Sequence, residues 1–213
     1  RAGQSPEPWY TGAAMPTRVS EGIGHETEIL TADDFLGWLE PGRFADLIDG
    51  EIAMHSPVSL RHAKLLDFVH RLIAEHVEQN DLGHVFREAV AVKLGQRNVF
   101  LPDLVYYARD RSQSFQKTLI DGAPDLAVEI LSPSTSHRDV GTKFVEYEQH
   151  GTKEYWILDP ETLAHRFYSR QDDLFVEFAE EAEVIASRVL TKLPLRRSWL
   201  DPQRLPKVRD CLA

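Results

Sequence analysis

The amino-acid sequence predicts a single α/β domain in which a mixed β-sheet is flanked by helices. Two segments, residues 59–79 and about 136–150, repeat apolar residues at the three- and four-residue spacing of amphipathic helices. Short apolar segments of strand length lie before, between and after these helices. The chain has 213 residues, which is enough for one domain with a substantial core.

The N-terminal part begins with a segment that has no periodicity. Residues 1–25 are rich in Gly, Pro, Ser and Thr, so we expect a flexible arm or residues left by the expression vector, with Met15 as the candidate native start. Thr31, followed by two acidic residues, predicts a capped short helix that ends at Trp38. Asp49-Gly50 lies between two apolar pieces and predicts a β-hairpin over residues 44–54.

The first long helix is predicted over residues 59–79, and Ser59, or Ser56 before Pro57, can cap its start. Its inward stripe consists of Leu65, Leu66, Val69, Leu72, Ile73 and Val77. Strands are predicted over residues 85–94, 104–108, 126–131, 154–158, 166–169 and 174–178.

The second long helix is predicted from Ser136 to His150, and Gly151 is a suitable residue to end it. Val140, Phe144 and Tyr147 form its predicted core-facing stripe, and Lys143 lies at the edge of that stripe. The tail from Pro194, including residues 201–213, is expected to wrap the surface.

The charge of the chain leaves two interpretations of its partners open. The formal net charge is −10, whereas proteins that grip nucleic-acid phosphates usually have a basic surface. Either the basic residues cluster locally around a cleft, or the substrate is not a long duplex. Carboxylates that bind a metal also make a metal-free site look too acidic, because the bound cation reverses the local field.

The cysteine content and the hydropathy of the chain indicate the cellular compartment in which we expect the protein. Cys211 is the only cysteine, which excludes an internal disulfide and a zinc site built from several cysteines. No apolar run approaches the roughly 20 residues that cross a bilayer, and the N-terminus does not resemble a secretory signal. We therefore expect a cytoplasmic protein with no membrane partner.

Two carboxylates are the first candidates for chemistry. Asp103 follows Pro102 and opens a predicted strand, and Glu129 lies in the middle of the apolar strand Asp125-Leu-Ala-Val-Glu-Ile-Leu. A carboxylate buried in such a strand is unfavourable unless it is paired. Oxygens from two neighbouring strands are ligands that Mg²⁺ accepts. The alternatives are a Glu129 ion pair without metal and a simple Pro-Asp turn.

Three further residues are candidates for the same site. Lys143 follows the Glu129 strand by one loop, so its ammonium can reach the carboxylates; the alternative is a surface lysine with a partly buried stem. His62 lies on the buried stripe of the first long helix, soon after Glu51 in the chain; the alternative is a hydrogen-bonded core histidine. The nearest candidates for a basic rim are Arg61, Lys64, Arg138 and Lys143.

Several segments together resemble the Uma2 family of the PD-(D/E)XK nuclease superfamily. They are Asp46-Leu-Ile-Asp-Gly-Glu-Ile-Ala-Met, Ser59-Leu-Arg-His, Leu101-Pro-Asp-Leu-Val, Gly122-Ala-Pro-Asp-Leu-Ala-Val-Glu-Ile-Leu-Ser-Pro-Ser-Thr, Arg138-Asp-Val-Gly-Thr-Lys and Glu154-Tyr-Trp-Ile-Leu-Asp-Pro. The resemblance covers roughly residues 30–200 and implies a restriction-endonuclease-like core, with a domain over residues 26–200.

The resemblance also implies roles for the candidate residues. Asp103 and Glu129 match the motif acids, and Glu51 and His62 match the family's acidic and histidine positions. Many superfamily members have the lysine two residues after the glutamate, where this chain has Leu131, and Lys143 on the next helix takes that role.

The implied function is metal-dependent endonucleolytic hydrolysis of phosphodiesters. Mg²⁺ or Mn²⁺ would be bound by Asp103, Glu129 and Glu51; Lys143 would position the water, and His62 would orient a carboxylate or the substrate. The expected partners are nucleic acid, DNA rather than RNA, and a second copy of the chain in a homodimer. The alternatives are a catalytically inactive nuclease-fold module that binds protein or nucleic acid, and a hydrolase for short or unusual nucleic acids.

Overall fold

The computed structural model describes residues 29–40, 42–87, 90–132 and 136–212. The N-terminal arm expected over residues 1–25 lies outside these ranges. In chain order the helices and strands are α1 (Ala32–Trp38), β1 (Ala45–Ile48), β2 (Glu51–Met54), α2 (Leu60–Gln79), β3 (Gly83–Arg87), β4 (Ala91–Lys93), β5 (Val99–Phe100), β6 (Leu104–Ala108), β7 (Leu119–Asp121), β8 (Leu126–Ile130), α3 (Ser136–Asp139), α4 (Thr142–Gln149), β9 (Glu154–Leu158), β10 (Arg166–Gln171), β11 (Leu174–Glu177), β12 (Val184–Ile185), β13 (Leu195–Arg196) and α5 (Val208–Cys211). Two 3₁₀ turns cover Arg109–Ser114 and Arg197–Leu200.

The central sheet has six strands in the order β11-β10-β9-β8-β6-β3. The β8–β9 pair is parallel and the other pairs are antiparallel, so the sheet is mixed. Alternate residues of β8 point to opposite faces. Val128 packs with α2 residues on one face, and Ala127 packs with Tyr147 of α4 on the other. These layers confirm the predicted fold class of a mixed sheet flanked by helices.

A second sheet of five strands, in the order β2-β1-β5-β4-β7, packs beside the central one. Leu47 of β1 and Phe35 of α1 share one apolar cluster. Phe100 of β5 packs edge-on against Tyr147 of α4 on the other side of this sheet. The second sheet therefore places β1 next to α4, and this position brings a β1 side chain to the candidate site.

The local signals at three N-terminal elements are confirmed. Thr31 and Asp34 form a reciprocal capping box at α1. Asp49 and Gly50 have φ of 52° and 87°, the left-handed values that a two-residue hairpin turn requires. Ser59 accepts a hydrogen bond from the backbone N–H of His62 and caps α2.

Three predictions about the middle of the chain are wrong. Residues 85–94 form two strands in different sheets, since β3 joins the central sheet and β4 joins the second. The second long helix is divided into α3 and α4 at Val140-Gly141, where Gly141 has a non-helical backbone. Val140 is 48% exposed and not in the core, whereas Lys143 is as deeply buried as Tyr147.

The C-terminal tail contributes to the core in addition to wrapping the surface. Leu195, Leu200, Val208 and Cys211 are buried in the cluster that contains the α2 stripe. The short strands β5, β7, β12 and β13 have no counterpart in the predicted elements, because two or three residues carry too little periodicity. Among the described residues, no helix is both long and apolar enough to cross a bilayer.

Candidate functional site

Asp103 and Glu129 lie at the same end of the central sheet. Leu104 of β6 pairs with Val128 of β8, so the next residues outward, Asp103 and Glu129, are neighbours across the two strands. The Asp103 Oδ2 atom accepts a hydrogen bond of 2.7 Å from the backbone N–H of Ile130. Asp103 is 19% exposed at its side chain and Glu129 only 3%, so the site is most open at Asp103.

Lys143 reaches the carboxylates from the first turn of α4. Its Nζ atom lies 3.1 Å from Glu129 Oε1, 3.2 Å from Asp46 Oδ2 and 3.4 Å from Asp139 Oδ1. All four side chains are at least nine-tenths buried. The expected approach of Lys143 to a carboxylate is therefore present, but the lysine also lies among two acids that the sequence analysis did not select.

The charges of this cluster do not balance. Burial alone would lower the pKa of Lys143, but Asp46, Glu129 and Asp139 outweigh it and raise that pKa well above its usual value, so the ammonium stays charged. Burial raises the pKa of Glu129 well above its ordinary range, and Asp139, Asp103 and Asp46 raise it further against the opposing effect of Lys143. Because the carboxylates of this cluster outnumber its cations, an additional cation would interact favourably with it.

Asp46 is one of two acids that the sequence analysis did not select for the site. Its Oδ1 atom accepts from the backbone N–H of Leu101 at 2.8 Å, and its Oδ2 atom lies 3.0 Å from His55 Nε2. Burial favours the neutral acid, but Lys143 and His55 hold the pKa of Asp46 below its usual value. The available signal was the one used for Glu129, a carboxylate inside the apolar strand Ala-Asp-Leu-Ile.

Asp139 was also missed, although its position four residues before Lys143 is a recognisable helical pair spacing. The backbone leaves the helix between the two residues, so the ion pair spans the junction of α3 and α4. Tyr155 of β9 donates a hydrogen bond to the Asp139 carbonyl at 2.8 Å. The junction is therefore attached to the central sheet.

His62 lies beside Asp103, in the first turn of α2. Its Nε2 atom is 3.3 Å from Asp103 Oδ1, and its side chain is 3% exposed. Glu51, by contrast, is exposed at the start of β2. Across the described ranges, no hydrogen bond or ion pair joins the Glu51 side chain to the other site residues, so its role as a metal ligand stays a prediction.

The expected basic rim is not formed by its four candidates, because only Lys143 reaches the carboxylates and it is buried among them. Arg61 is directed to the loop after β9, where it donates to the Pro160 carbonyl and pairs with Glu161 at 3.1 Å. Lys64 is exposed and Arg138 is half-buried. The two described cavities, each of about 400 Å³, are lined by none of the candidate residues.

The donor set accommodates a divalent ion only with help from water. Within the described part of the chain, no three His, Cys, Asp or Glu side chains are grouped as metal ligands. Asp103 and Glu129, with the carbonyl of Ile130, offer two carboxylates and one backbone oxygen. Mg²⁺ commonly keeps several waters and takes one or two carboxylates, so these residues and their excess negative charge fit such an ion.

Comparison with known proteins gives a matching family model and similar solved structures. The model of the Uma2 family, described as "Putative restriction endonuclease", matches residues 32–196. A similar solved structure is "a putative nuclease belonging to DUF820" from Anabaena variabilis, 20% identical, with a TM-score of 0.67 over 85% of this chain and 97% of that one. No curated protein matches. Since the family model spans most of the chain, and the solved structure shares its fold, this protein belongs to the Uma2 family.

Proposed function

We propose that this protein is a metal-dependent phosphodiester hydrolase that cleaves nucleic acid internally, with DNA as its substrate. The observation that carries the proposal is the Lys143 ammonium, which is held 3.1 Å from Glu129 at the sheet end where Asp103 lies. This places an acid pair and a permanent cation together in a low-dielectric environment, where charges interact strongly. Membership of the Uma2 family, described as "Putative restriction endonuclease", supports the same chemistry.

Asp103, Glu129 and the Ile130 carbonyl would hold Mg²⁺ or Mn²⁺, with Glu51 contributing through a water. When bound, the ion polarises the phosphoryl group and lowers the pKa of a bound water. The reaction adds the water oxygen to phosphorus and breaks the opposite P–O ester bond in line, which leaves a phosphomonoester and a hydroxyl. No covalent intermediate is formed with the protein.

The protein side chains have separable tasks in this scheme. Lys143 presents a fixed positive charge to the water or to the developing phosphorane oxygens. Asp46 and Asp139 hold that ammonium in place, so it requires no reorganisation during the reaction. His62, 3.3 Å from Asp103, fixes the orientation of the Asp103 carboxylate.

The second candidate function is a catalytically inactive module that binds nucleic acid or protein. The burial of Glu129 and Lys143 favours it, because a substrate must open the site to reach either group. The net charge of −10 also favours it for long duplexes. A hydrolase for short, nicked or branched strands would need less basic surface, so substrate form decides among these candidates.

The test is a cleavage assay on circular plasmid, followed by its conversion to nicked and linear forms, and on end-labelled nicked duplex, branched duplex, short single-stranded DNA and RNA. Each is incubated with the full chain and Mg²⁺, Mn²⁺ or a chelator. We expect metal-dependent internal cuts in at least one DNA form. Absence of cleavage in all forms, together with no rise in thermal stability on adding either metal, would support the inactive module.

A further inference from the structure

A cavity of about 400 Å³ lies at the opposite end of the central sheet from Glu129. Asp125, which precedes β8, and Ala108, the last residue of β6, line it at the strand ends remote from Glu129 and Asp103. Asp125 and Glu129 are four residues apart along a strand, or roughly 13 Å. The cavity is therefore separate from the candidate hydrolytic site.

Positive charge predominates in the lining of this cavity. Lys153, Arg170 and Arg188 line it together with two acids, Asp125 and Asp172, in a chain whose net charge is −10. Asp125 is already engaged, because its Oδ1 atom lies 2.7 Å from Lys153 Nζ and its Oδ2 atom accepts from the Ala108 N–H at 2.8 Å. Arg111, at 3.7 Å, is a second cation beside this carboxylate.

Of the cations that line the cavity, Arg188 has the most hydrogen-bond donors available for a ligand. Arg170 pairs with Asp173 at 2.8 Å and donates to the Glu148 carbonyl. The exposed Arg188 side chain forms no ion pair within the described ranges, and its backbone N–H donates to Glu154 Oε1 at 2.6 Å. The backbone anchor fixes where this guanidinium emerges, and its five donors remain available.

Ser169 gives an independent sign that the cavity takes a ligand. Its side chain lines the cavity and is 2% exposed, yet its Oγ atom has no hydrogen-bond partner in the described parts of the chain. Buried hydroxyl groups are nearly always hydrogen-bonded, because an unpaired one loses its water without compensation. An acceptor bound in the cavity would satisfy this group.

We propose that this cavity binds a phosphomonoester. The several oxygens of one phosphate can accept from the Ser169 hydroxyl and the Arg188 guanidinium at the same time, while Lys153 and Arg170 add positive potential. The volume of about 400 Å³ exceeds that of phosphate alone, and Tyr106 and Val189 give the attached group an apolar wall. The phosphate is carried by a free nucleotide or by the end of a nucleic-acid strand.

Calorimetric titration of the full chain with inorganic phosphate and with adenosine 5′-monophosphate tests the site. A chelator is present throughout, so the result does not depend on the proposed hydrolysis. We expect both anions to bind the wild type, and Ser169→Ala and Arg188→Gln each to weaken binding about tenfold or more. Arg204→Gln, which removes an exposed arginine outside the cavity, is the matched control and should bind like the wild type.

The thermal stability of the unliganded variants is measured as well. It distinguishes a loss of phosphate affinity from a defect in folding. Ser169→Ala should leave thermal stability equal or higher, because it removes a buried hydroxyl that has no partner. Loss of stability with unchanged phosphate affinity would show that the hydroxyl serves the fold and would overturn the proposal. Equal phosphate affinity of the wild type and both cavity variants, or no binding by any of them, would also overturn it.

Oligonucleotides then distinguish the two sources of the phosphate. A short DNA strand with a 5′-phosphate is compared with the same strand bearing a 5′-hydroxyl, again with chelator. Preference for the phosphorylated strand that Arg188→Gln abolishes would assign the site to strand ends. Equal binding of the two strands, beside Arg188-dependent binding of the mononucleotide, would assign it to free nucleotides; both results support a phosphomonoester site.

Discussion

Lys143 is the residue on which the proposed chemistry depends most. Its ammonium is buried among Asp46, Glu129 and Asp139, so Lys143→Met should reduce metal-dependent cleavage about 10²-fold or more, the usual effect of losing one preorganised electrostatic group. The variant should also unfold more easily, because it leaves buried carboxylates without their cation. Initial rates are therefore measured below the unfolding transition. Lys117→Met, at an exposed position before β7, is the control and should keep the wild-type rate.

Asp46 is predicted to act through Lys143 as a positioning residue. Asp46→Asn keeps the size of the side chain and an oxygen for the Leu101 N–H, but it removes the charge 3.2 Å from Lys143 Nζ. We expect kcat to fall about tenfold or more with little change in KM, because the lysine is less well fixed in the transition state. Asp49→Asn in the same hairpin is exposed, tolerates its left-handed φ, and should leave both constants unchanged. An equal effect of the two substitutions would remove Asp46 from the mechanism.

The junction between α3 and α4 is the element that sets the geometry of the site. A Cβ atom added at Gly141 would lie 2.6 Å from the carbonyl oxygen of His137, so Gly141→Ala forces the backbone between Asp139 and Lys143 to move. We expect a loss of about 1–3 kcal/mol in the free energy of unfolding and a parallel loss of cleavage. Gly37→Ala in α1 meets no atom within 4 Å and should stabilise the protein by about 0.5–1 kcal/mol. Denaturant unfolding of both variants checks the contrast.

The segment between β9 and β10 contains a histidine that makes stability depend on pH. Burial and the neighbouring Arg197 lower the pKa of His165 to about 4. The unfolded chain binds this proton near pH 6.5 and the folded chain only near 4, so stability is full above about pH 6.5 and falls between these values, by roughly 3 kcal/mol.

Urea unfolding at pH 7.5, 5.5 and 4.5 measures this loss. His165→Gln should flatten the dependence, whereas His137→Gln, at an exposed position, should leave it in place. An unchanged slope in His165→Gln would assign the acid sensitivity to other groups.

The elements that could be predicted from sequence are those whose signals are local. The helix α2 is predicted by its own cap and apolar periodicity, and the hairpin by its own Asp49-Gly50 turn. Residues 85–94 read as one strand because the separation of β3 from β4 into two sheets depends on distant partners. The break at Gly141 was hidden because a single glycine is tolerated in many helices.

The candidate site was predictable where a residue carries a local signal within its own element or matches a motif of the Uma2 family. Asp103, Glu129, Lys143 and His62 were all selected, and the structure brings them to one end of the sheet. Asp46 arrives from a different sheet, and no spacing in the chain relates it to Lys143. Asp46 and Glu129 are both acidic residues inside short apolar strands. An acidic residue in any such strand is therefore a candidate site residue.

The acidic net charge of the whole molecule is compatible with a nucleic-acid substrate only if the electrostatic field around the candidate site differs from that of the rest of the surface. The cluster around Lys143 has more carboxylates than cations, and a bound divalent ion would reverse part of that excess. The homodimer expected from the sequence would let two such sites act on two strands of a duplex. Sedimentation equilibrium of the full chain measures its oligomeric state.

The Mn²⁺-dependent cleavage rate of Glu129→Gln beside the wild type, on a DNA form that the wild type cuts, tests whether hydrolysis depends on this carboxylate. Since the pKa of Glu129 is raised, its neutral form suits the fold, so the glutamine variant should be at least as stable as the wild type. We expect its rate to fall by about 10²-fold or more, with no rise in thermal stability on adding Mn²⁺. A folded Glu129→Gln variant that cleaves at the wild-type rate would contradict a metal-dependent site built from Asp103, Glu129 and Lys143.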